Sequence, residues 1–193
     1  LDTAGILQDS SRPTTVKTRV ISQQQQMLRI DEEDSSNLNL SVTDEMTARI
    51  LSILEDQQID VVIFEDYDKG LITPELIKAV VSKANELNIP TTVDPKKRNF
   101  TAYEDVTLFK PNLKELREGL NIYIEPINLE NLKSGFNTLK ELLRCKNALV
   151  TLSELGMFIT DGEVNQIIPA HVRNIADVSG AGDTVISVAS LSI

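Results

Sequence analysis

The fold class is decided by the stretch "DVVIFEDYDKGLITPELIKAVVSKANELNIPTTVD", residues 60–94. It begins with a short apolar strand, Asp60–Phe64, and ends with a second one, Thr91–Asp94. Between them, Thr73–Glu75 predicts a helix start, because it supplies a cap, a proline at the first helical position and an acid in the first turn. A strand, an amphipathic helix and a strand in succession are typical of parallel strands joined by a crossover helix.

The same alternation continues on both sides of this stretch. Upstream, Thr43 and Asp44 are expected to cap a helix whose apolar residues recur at helical spacing. Downstream, we expect the strands Val106–Asn112 and Ala148–Ser153, the helices Leu113–Leu120 and Leu129–Leu143, a hairpin made of Gly156–Thr160 and Val164–Ile168, and a buried helix from Asp183 onward. This alternation predicts an α/β domain whose parallel sheet is covered by helices on both faces.

The N-terminal part of the chain differs from this pattern. Two β-rich runs, Thr15–Ile21 and Met27–Asp31, are separated by the polar sequence "SQQQQ". Such runs joined by a polar turn predict a hairpin or a pair of strands at the edge of a sheet. The following "DEEDSSN" is expected to be a solvated acidic loop.

Length and composition bound the class of protein. With 193 residues, of which 41% are hydrophobic, the chain can form one full-sized core, so we expect a single domain over residues 1–193. Its net charge of −10 argues against a nucleic-acid partner, because a surface that binds nucleic acid must be basic in order to attract phosphates. No apolar run is long enough to span a bilayer, and the first ten residues have neither the basic nor the apolar region of a signal peptide, so we expect a cytoplasmic protein without a membrane partner.

The single cysteine and the single histidine argue against two further kinds of site. Cys145 has no partner for a disulfide within the chain and no second thiol for a metal cluster. His171 is the single histidine in this sequence, which excludes a His-rich metal site. The serine elbow G-x-S-x-G of many hydrolases is absent as well. We expect both residues to be structural.

Polar residues directly follow each expected strand. Because ligands of open α/β sheets bind outside the carboxyl ends of the strands, these residues are the first candidates for a binding site. They are Asp66–Lys69, Asp94–Lys96, Lys110–Glu115, Thr151–Ser153 and Asp177–Asp183. The loops "EDYDKG" and "DPKKRNF" are equally typical of ordinary solvated turns.

The sequence "SGAGD", residues 179–183, is the most specific of these segments. A Gly-Ala-Gly turn that opens a helix directs backbone N–H groups at one point, where they and the helix dipole bind an anion. It matches neither a P-loop nor a complete dinucleotide-binding fingerprint. An aspartate favoured by the helix dipole explains the acid equally well from local rules. Because a carboxylate repels a bound phosphate, we expect Asp183 to accept a proton from a substrate hydroxyl during phosphoryl transfer.

A second segment, "KPNLKEL", brings Asn112 and Glu115 to the start of a helix, three residues apart. An amide and a carboxylate on one helix face suit Mg²⁺, bound through water, and a nucleotide phosphate. The same two residues also fit a variant of the capping box, which needs no ligand. Local sequence leaves both interpretations open.

Three segments together resemble the PfkB, or ribokinase-like, family of carbohydrate kinases: "DVSGAGDTVIS", "KPNLKEL" and "VTLSELGMFI", which also follow the family's order. Within that family, "TVKTRVISQQQQMLRID" and "DYDKG" are most similar to the heptose 7-phosphate kinases. The resemblance implies a three-layer α/β/α sandwich with a small β lid that includes residues 14–31. It further implies ATP-dependent phosphorylation of D-glycero-β-D-manno-heptose 7-phosphate at O1, a step towards ADP-heptose and lipopolysaccharide.

The resemblance also implies roles for individual residues. Asp183 would be the catalytic base, with Gly180, Ala181 and Gly182 as the anion hole. Five residues would border the nucleotide, and the second of them would also bind Mg²⁺ through water: Asn112, Glu115, Thr151, Ser153 and Gly156. Four would lie on the side of the sugar phosphate: Lys17, Arg19, Asp66 and Lys69. Arg19 suits this role because a guanidinium binds phosphate in a bidentate manner.

Several points stay open at this level. The resemblance implies a chain that is incomplete at both ends, and it admits a homodimer formed through the small strand layer and a monovalent cation. No H-x-G-H motif of a fused nucleotidyltransferase occurs in the sequence. The alternatives are another PfkB kinase, acting on a fructose phosphate, a tagatose phosphate or a nucleoside, and a relative that binds nucleotide without catalysis.

Overall fold

The computed structural model describes residues 2–23, 25–170 and 180–193. These residues form eight β-strands and five α-helices. In chain order they are β1 Val16–Ser22, β2 Gln25–Glu32, α1 Leu40–Asp56, β3 Val62–Glu65, α2 Pro74–Glu86, β4 Thr91–Asp94, β5 Leu108–Phe109, α3 Leu113–Leu120, α4 Leu129–Leu143, β6 Asn147–Thr151, β7 Met157–Thr160, β8 Asn165–Ile168 and α5 Ala181–Ser190. Short 3₁₀ turns cover Lys97–Ala102 and Ser153–Leu155.

The central sheet has six strands in the order β3-β4-β5-β6-β7-β8. The first four are parallel, with Val62 opposite Thr91 and Leu108 opposite Asn147. The chain then turns back, so that β7 and β8 add an antiparallel hairpin at one edge. The α/β class predicted from the sequence is confirmed, and the sheet is mostly parallel.

Helices cover both faces of this sheet. On one face, α2, α3 and α4 pack their apolar residues against the strands, and the fully buried Phe136 and Phe109 belong to this core. On the other face, Ile186 of α5 packs against Leu108 and Leu149. The three-layer arrangement is therefore confirmed, and the carboxyl ends of β3, β4 and β5 lie beside the start of α5.

The first residues of α2 and α1 show where the local sequence was sufficient to predict a helix cap and where it was not. The Thr73 hydroxyl accepts a hydrogen bond from the Leu76 N–H, as predicted for the cap of α2. For α1 the prediction is wrong, because the cap is Asn39, whose side chain accepts a hydrogen bond from the Val42 N–H. Thr43 lies inside the helix and is buried, and its hydroxyl donates a hydrogen bond to the Asn39 carbonyl.

The first two strands form a separate two-stranded sheet, which we call the N-terminal hairpin (β1 and β2). The strands pair antiparallel, with a bulge after Val20, and Gln25 and Gln26 belong to β2. The predicted hairpin is confirmed, although its turn is shorter than the four glutamines suggested. Its residues are exposed on both faces, except for the half-buried Asp31.

Two contacts hold the segment after the hairpin against the loop that follows β3. The Arg12 guanidinium donates to the backbone carbonyls of Asp34 and Lys69. Gly70 has a φ of +76°, and a Cβ at this position would lie 1.8 Å from the carbonyl oxygen of Ser36. Only glycine therefore fits at this point of close approach.

Three remaining expectations concern single residues and the membrane. Cys145 is buried, and its burial raises the pKa of the thiol to about 11, in agreement with a structural role. His171 and Asp177–Ser179 lie outside the described residues. None of the helices in the described ranges is both long and apolar enough to cross a membrane.

Candidate functional site

The candidate site lies where the carboxyl ends of β3, β4 and β5 meet the first turn of α5. Glu65 ends β3, Asp94 ends β4, and Lys110 directly follows β5. Neighbouring parallel strands bring these three side chains to one edge of the sheet. Asp183, in the first turn of α5, completes the group. We call these four residues the strand-end cluster.

Three of the four residues in the strand-end cluster are acids. Carboxylate oxygens of Glu65, Asp94 and Asp183 lie within 4.8 Å of one another. The buried Lys110 ammonium contacts Asp94 Oδ2 at 2.8 Å and balances one of these charges. Burial, followed by the charges of Asp94 and Asp183, raises the pKa of the Glu65 carboxyl. The cluster therefore holds more negative charge than its single lysine neutralises.

The first turn of α5 approaches this cluster closely. A Cβ at Gly182 would lie 3.3 Å from Asp94 Oδ2 and 3.8 Å from Lys110 Nζ. Gly180 has a φ of +76° and stands at the N-cap, where it offers no side chain. Among the residues that the structure describes, no side chain caps the first backbone N–H groups of α5, and the dipole adds positive potential there. The predicted residues Gly180, Ala181 and Gly182 form a turn suited to an anion.

Tyr67 is a member of the site that the sequence reasoning missed. Its phenol donates a hydrogen bond to Asp183 Oδ2 at 2.8 Å. This bond is the main reason that the pKa of Tyr67 is raised to about 12, with burial a smaller cause. The only available signal was its position, because Tyr67 lies two residues after the end of β3.

Asn112 and Glu115 satisfy the capping-box interpretation. The Asn112 side chain accepts from the Glu115 N–H at 2.8 Å, and Glu115 Oε2 accepts from the Asn112 N–H at 2.9 Å. Glu115 Oε1 in turn accepts from Lys96 at 2.7 Å. Burial alone would lower the pKa of Lys96. The contact with Glu115 and the nearby charge of Asp94 together have a larger effect, so the pKa of the lysine is raised. The cap by itself explains why these two residues stand three apart.

Glu115 fits a magnesium-bound water better than direct coordination of the metal. Each of its two oxygens already accepts one hydrogen bond, and each keeps a second lone pair. Mg²⁺ usually keeps several of its waters, so an acid that contacts such a water is a suitable partner. The residue predicted for magnesium is therefore compatible with that role through water.

The structure joins two of the predicted nucleotide segments. Thr151 ends β6 and pairs with Asn112, and its N–H donates to the Pro111 carbonyl at 3.2 Å. Ser153 and Gly156 flank the tight turn between β6 and β7, both with positive φ. A Cβ at Gly156 would lie 2.0 Å from the carbonyl oxygen of Ile168, so this glycine is required by the close approach of the end of β8.

Asp66 is placed differently from the expectation of a sugar-phosphate contact. Its side chain is buried, and Oδ2 accepts hydrogen bonds from Asn99 at 3.0 Å and from Tyr103 at 2.8 Å. Oδ1 accepts from the Asp68 N–H at 2.8 Å. Both oxygens therefore anchor the loop after β3, and the carboxylate is occupied by the protein.

The other three expected sugar-side residues lie apart from the strand-end cluster. Lys17 and Lys69 share one acid, since Glu33 contacts them at 2.9 Å and 2.6 Å. Lys69 first and then Lys17 lower the pKa of Glu33 to about 2. Arg19 lies opposite Arg29 in the N-terminal hairpin. Two like charges in directly opposed positions repel each other.

The chain is similar to known proteins of one family. The model of the family described as "pfkB family carbohydrate kinase" matches residues 1–192. A curated "Bifunctional protein HldE" from Campylobacter jejuni subsp. doylei is 41% identical over 177 residues, which cover 92% of this chain and 37% of that protein. A protein of the same name from Helicobacter pylori strain P12 is 37% identical over 196 residues, covering 100% of this chain and 41% of the relative. The chain therefore spans about two fifths of the length of these relatives.

Solved structures show the same fold at lower sequence identity. The tetrameric inhibited form of phosphofructokinase-2 from Escherichia coli has a TM-score of 0.74 at 19% identity, covering 94% of this chain and 58% of that one. An ADP complex of pyridoxal kinase from Bacillus subtilis has a TM-score of 0.61 at 15% identity, covering 93% and 71%. At this level of identity the likeness concerns the fold alone.

Proposed function

The chain belongs to the pfkB family of carbohydrate kinases, and from that premise we propose that it is the kinase part of a heptose-phosphate kinase. The proposed reaction transfers the γ-phosphoryl group of ATP to O1 of D-glycero-β-D-manno-heptose 7-phosphate and gives the 1,7-bisphosphate. The similarity to HldE proteins over almost the whole chain supports this substrate. The product would serve the synthesis of ADP-heptose and lipopolysaccharide.

The observation that carries the proposal is the position of Asp183 in the first turn of α5, whose N-cap residue Gly180 has no side chain. In the proposed reaction, Asp183 takes the proton from the sugar O1 hydroxyl as this oxygen attacks the phosphorus. The N–H groups at Ala181 and Gly182 hold a phosphate oxygen while its charge develops. A positioned base of this kind contributes a rate factor of about 10² to 10⁴.

Lys110, which contacts Asp94, supports this arrangement through its positive charge. The Lys110 ammonium lies on the side of Gly182, where a Cβ would come within 3.8 Å of it. Its positive charge lowers the repulsion that three neighbouring carboxylates would exert on an incoming phosphate. We infer that Lys110 makes an acid-rich site compatible with an anionic substrate.

The proposed cofactors are ATP and Mg²⁺, as the family implies. Bound magnesium would reduce the charge of the phosphates. Glu115 would hold a magnesium-bound water, and Asn112, Thr151, Ser153 and Gly156 border the space assigned to the nucleotide. A monovalent cation is a further candidate, which a comparison of rates in potassium and sodium buffers would test.

On the sugar side, we propose Lys17, Arg19 and Lys69 as ligands of the 7-phosphate. All three are cationic, and a phosphate in their vicinity would compete with Glu33 for the two lysines. Asp66 does not belong to this group, because its carboxylate is engaged by Asn99 and Tyr103.

Partners and location follow from the same proposal. We propose a cytoplasmic enzyme that acts on small molecules, without a nucleic-acid or membrane partner. A homodimer formed through the N-terminal hairpin is the proposed assembly, and the exposed apolar side chains of Val20 and Leu28 support it. Sedimentation of the full-length protein would measure the assembly.

The test is phosphoryl transfer by the full-length protein, supplied with ATP and a panel of acceptors. We expect turnover of heptose 7-phosphate, and a loss of about 10²-fold or more in kcat for Asp183→Asn with nucleotide affinity retained. Asp60→Asn, a change at an exposed acid, serves as the matched control. Turnover of fructose phosphates alone would overturn the substrate, and an unchanged rate in Asp183→Asn would overturn the catalytic base.

A further inference from the structure

The contact between Tyr67 and Asp183 joins two parts of the chain that are 116 residues apart. Tyr67 lies in the loop after β3, and Asp183 lies at the start of α5. The phenol donates to Oδ2 of the carboxylate at 2.8 Å. In the described ranges, Oδ1 has no hydrogen-bond donor. One oxygen of Asp183 is therefore engaged, and the other is left for a substrate proton.

The loop that carries Tyr67 is anchored on both sides of it. On one side, the Asp66 N–H donates to the Asp94 carbonyl, and the buried Asp66 carboxylate binds Asn99 and Tyr103. On the other side, Asp68 forms a 2.7 Å ion pair with Arg98. Asp68 has a φ of +55°, which this loop maintains in spite of its strain.

This anchoring distinguishes a positioning role from an accidental surface contact. A side chain orients a reacting group only if its own backbone and neighbours are fixed. Tyr67 meets this condition, because the buried Asp66 carboxylate before it is held by Tyr103 and itself accepts from the N–H of Asp68 after it. Tyr67 as a whole residue is 55% exposed, so a substrate can still approach the pair from the solvent side.

We propose that Tyr67 is a positioning residue for the base Asp183, holding Oδ2 so that Oδ1 faces the hydroxyl of the sugar. This inference rests on the proposed function, in which Asp183 takes the proton. The phenol stays protonated in this role and exchanges no atom with the substrate. Asp66, Asn99 and Tyr103 act one step further away by fixing the loop.

The tyrosine is suited to this role at the pH of any ordinary assay. Because the pKa of Tyr67 is raised to about 12, its hydroxyl remains a donor over that whole range. It adds no charge to a site where Glu65 and Asp94 already surround the base. A lysine in its place would bind the carboxylate as an ion pair and compete with the incoming hydroxyl.

The experiment compares Tyr67→Phe with Tyr123→Phe in the full-length protein. Tyr123 is 85% exposed and serves as a matched loss of one hydroxyl. For Tyr67→Phe we expect kcat to fall on the order of 10-fold, with the KM values of both substrates within about threefold of the parent. Tyr123→Phe should leave all three parameters unchanged, and thermal melting should show that both variants fold.

A double-mutant cycle decides whether Tyr67 acts through Asp183. In an Asp183→Asn background, Tyr67→Phe should reduce the residual kcat by less than about twofold, because the carboxylate to be oriented is gone. An equal loss in both backgrounds, or no loss in either, would overturn the inference. The proposed function fails separately, if Asp183→Asn alone keeps the parental rate. The two failures are therefore distinguished within one set of four proteins.

Discussion

Two lysine–aspartate pairs with similar geometry show how the central sheet differs from the N-terminal hairpin. In the sheet, Lys110 and Asp94 are 2.8 Å apart, and their side chains are 3% and 11% exposed. In the hairpin, Lys17 and Asp31 are 3.2 Å apart, but 33% and 21% exposed. The chemistry is the same, whereas the access of water is not.

This difference teaches what each region contributes. Breaking a buried ion pair leaves an uncompensated charge, so the stability of the folded state depends on the contact between Lys110 and Asp94. Exposed pairs gain little because water and salt screen them. In the proposed reaction, the sheet would supply a preorganised site for phosphoryl transfer, and the hairpin would supply cations that rearrange around the substrate.

The largest expected effect comes from breaking the buried pair. Lys110→Met should lower the free energy of unfolding by about 3 kcal/mol, because Asp94 loses its buried partner. Lys17→Met is the control, and it should leave the unfolding midpoint unchanged, since Lys17 is screened by water. Urea denaturation of both variants measures the difference. Equal midpoints for the two variants would refute the contrast between sheet and hairpin.

A smaller effect is expected for the arginine pair of the hairpin. Arg19→Ala should raise the KM for the sugar phosphate by about 10-fold, because a charge-assisted contact with phosphate is lost. The KM for ATP and the melting temperature should not change. Arg29→Ala, which removes an arginine already paired with Asp31, should raise the KM less. If steady-state kinetics showed no change for either variant, the hairpin would have no part in binding the sugar.

The smallest effect concerns Glu65 and depends on pH. Burial and like charges raise the pKa of Glu65 above its ordinary 4.5, so the folded protein binds this proton more tightly than the unfolded chain. The resulting stability is present below the unfolded pKa and is lost as the pH rises through the folded one.

Glu65→Gln should therefore stabilise the protein by about 0.5 kcal/mol near neutral pH. The gain should shrink as the pH falls towards about 4, where the parent is also protonated. Urea unfolding across this range measures it, with the exposed Glu154→Gln as control. A gain that stayed constant with pH would show that the charge of Glu65 is not its cause.

Much of the fold follows from local signals in the sequence. Residues 91–94, 113–120 and 129–143 form the predicted elements with the predicted bounds. The two helices among them start directly after Asn112 and Asn128, whose side chains cap them. The predicted start of α1 is wrong because Asn39 and the exposed Leu40 precede the apolar pattern of the helix. The cap is identified by the hydrogen bond that the Val42 N–H donates to the Asn39 side chain. A cap that stands apart from the buried apolar residues of its helix is difficult to recognise in one sequence.

The site was predictable in location and less so in detail. Strand ends marked Asp94 and Lys110, which the sheet brings into contact, and the glycine turn marked Asp183, which α5 brings close to Asp94. The contact of Tyr67 with Asp183 depends on a tertiary arrangement that no local pattern encodes. The buried position of Asp66 could not be foreseen for the same reason, since its partners Asn99 and Tyr103 lie more than thirty residues away.

The exposure of the N-terminal hairpin has a consequence for how such a protein can evolve. Nearly all of its residues lie outside the core, so most substitutions there leave folding intact and are selected only through what the hairpin binds. Substitutions at Asp94 or Lys110 must first pass the requirement of a stable fold. With the roles proposed above, preference for one sugar over another would drift in the hairpin while the chemistry at the sheet is inherited unchanged.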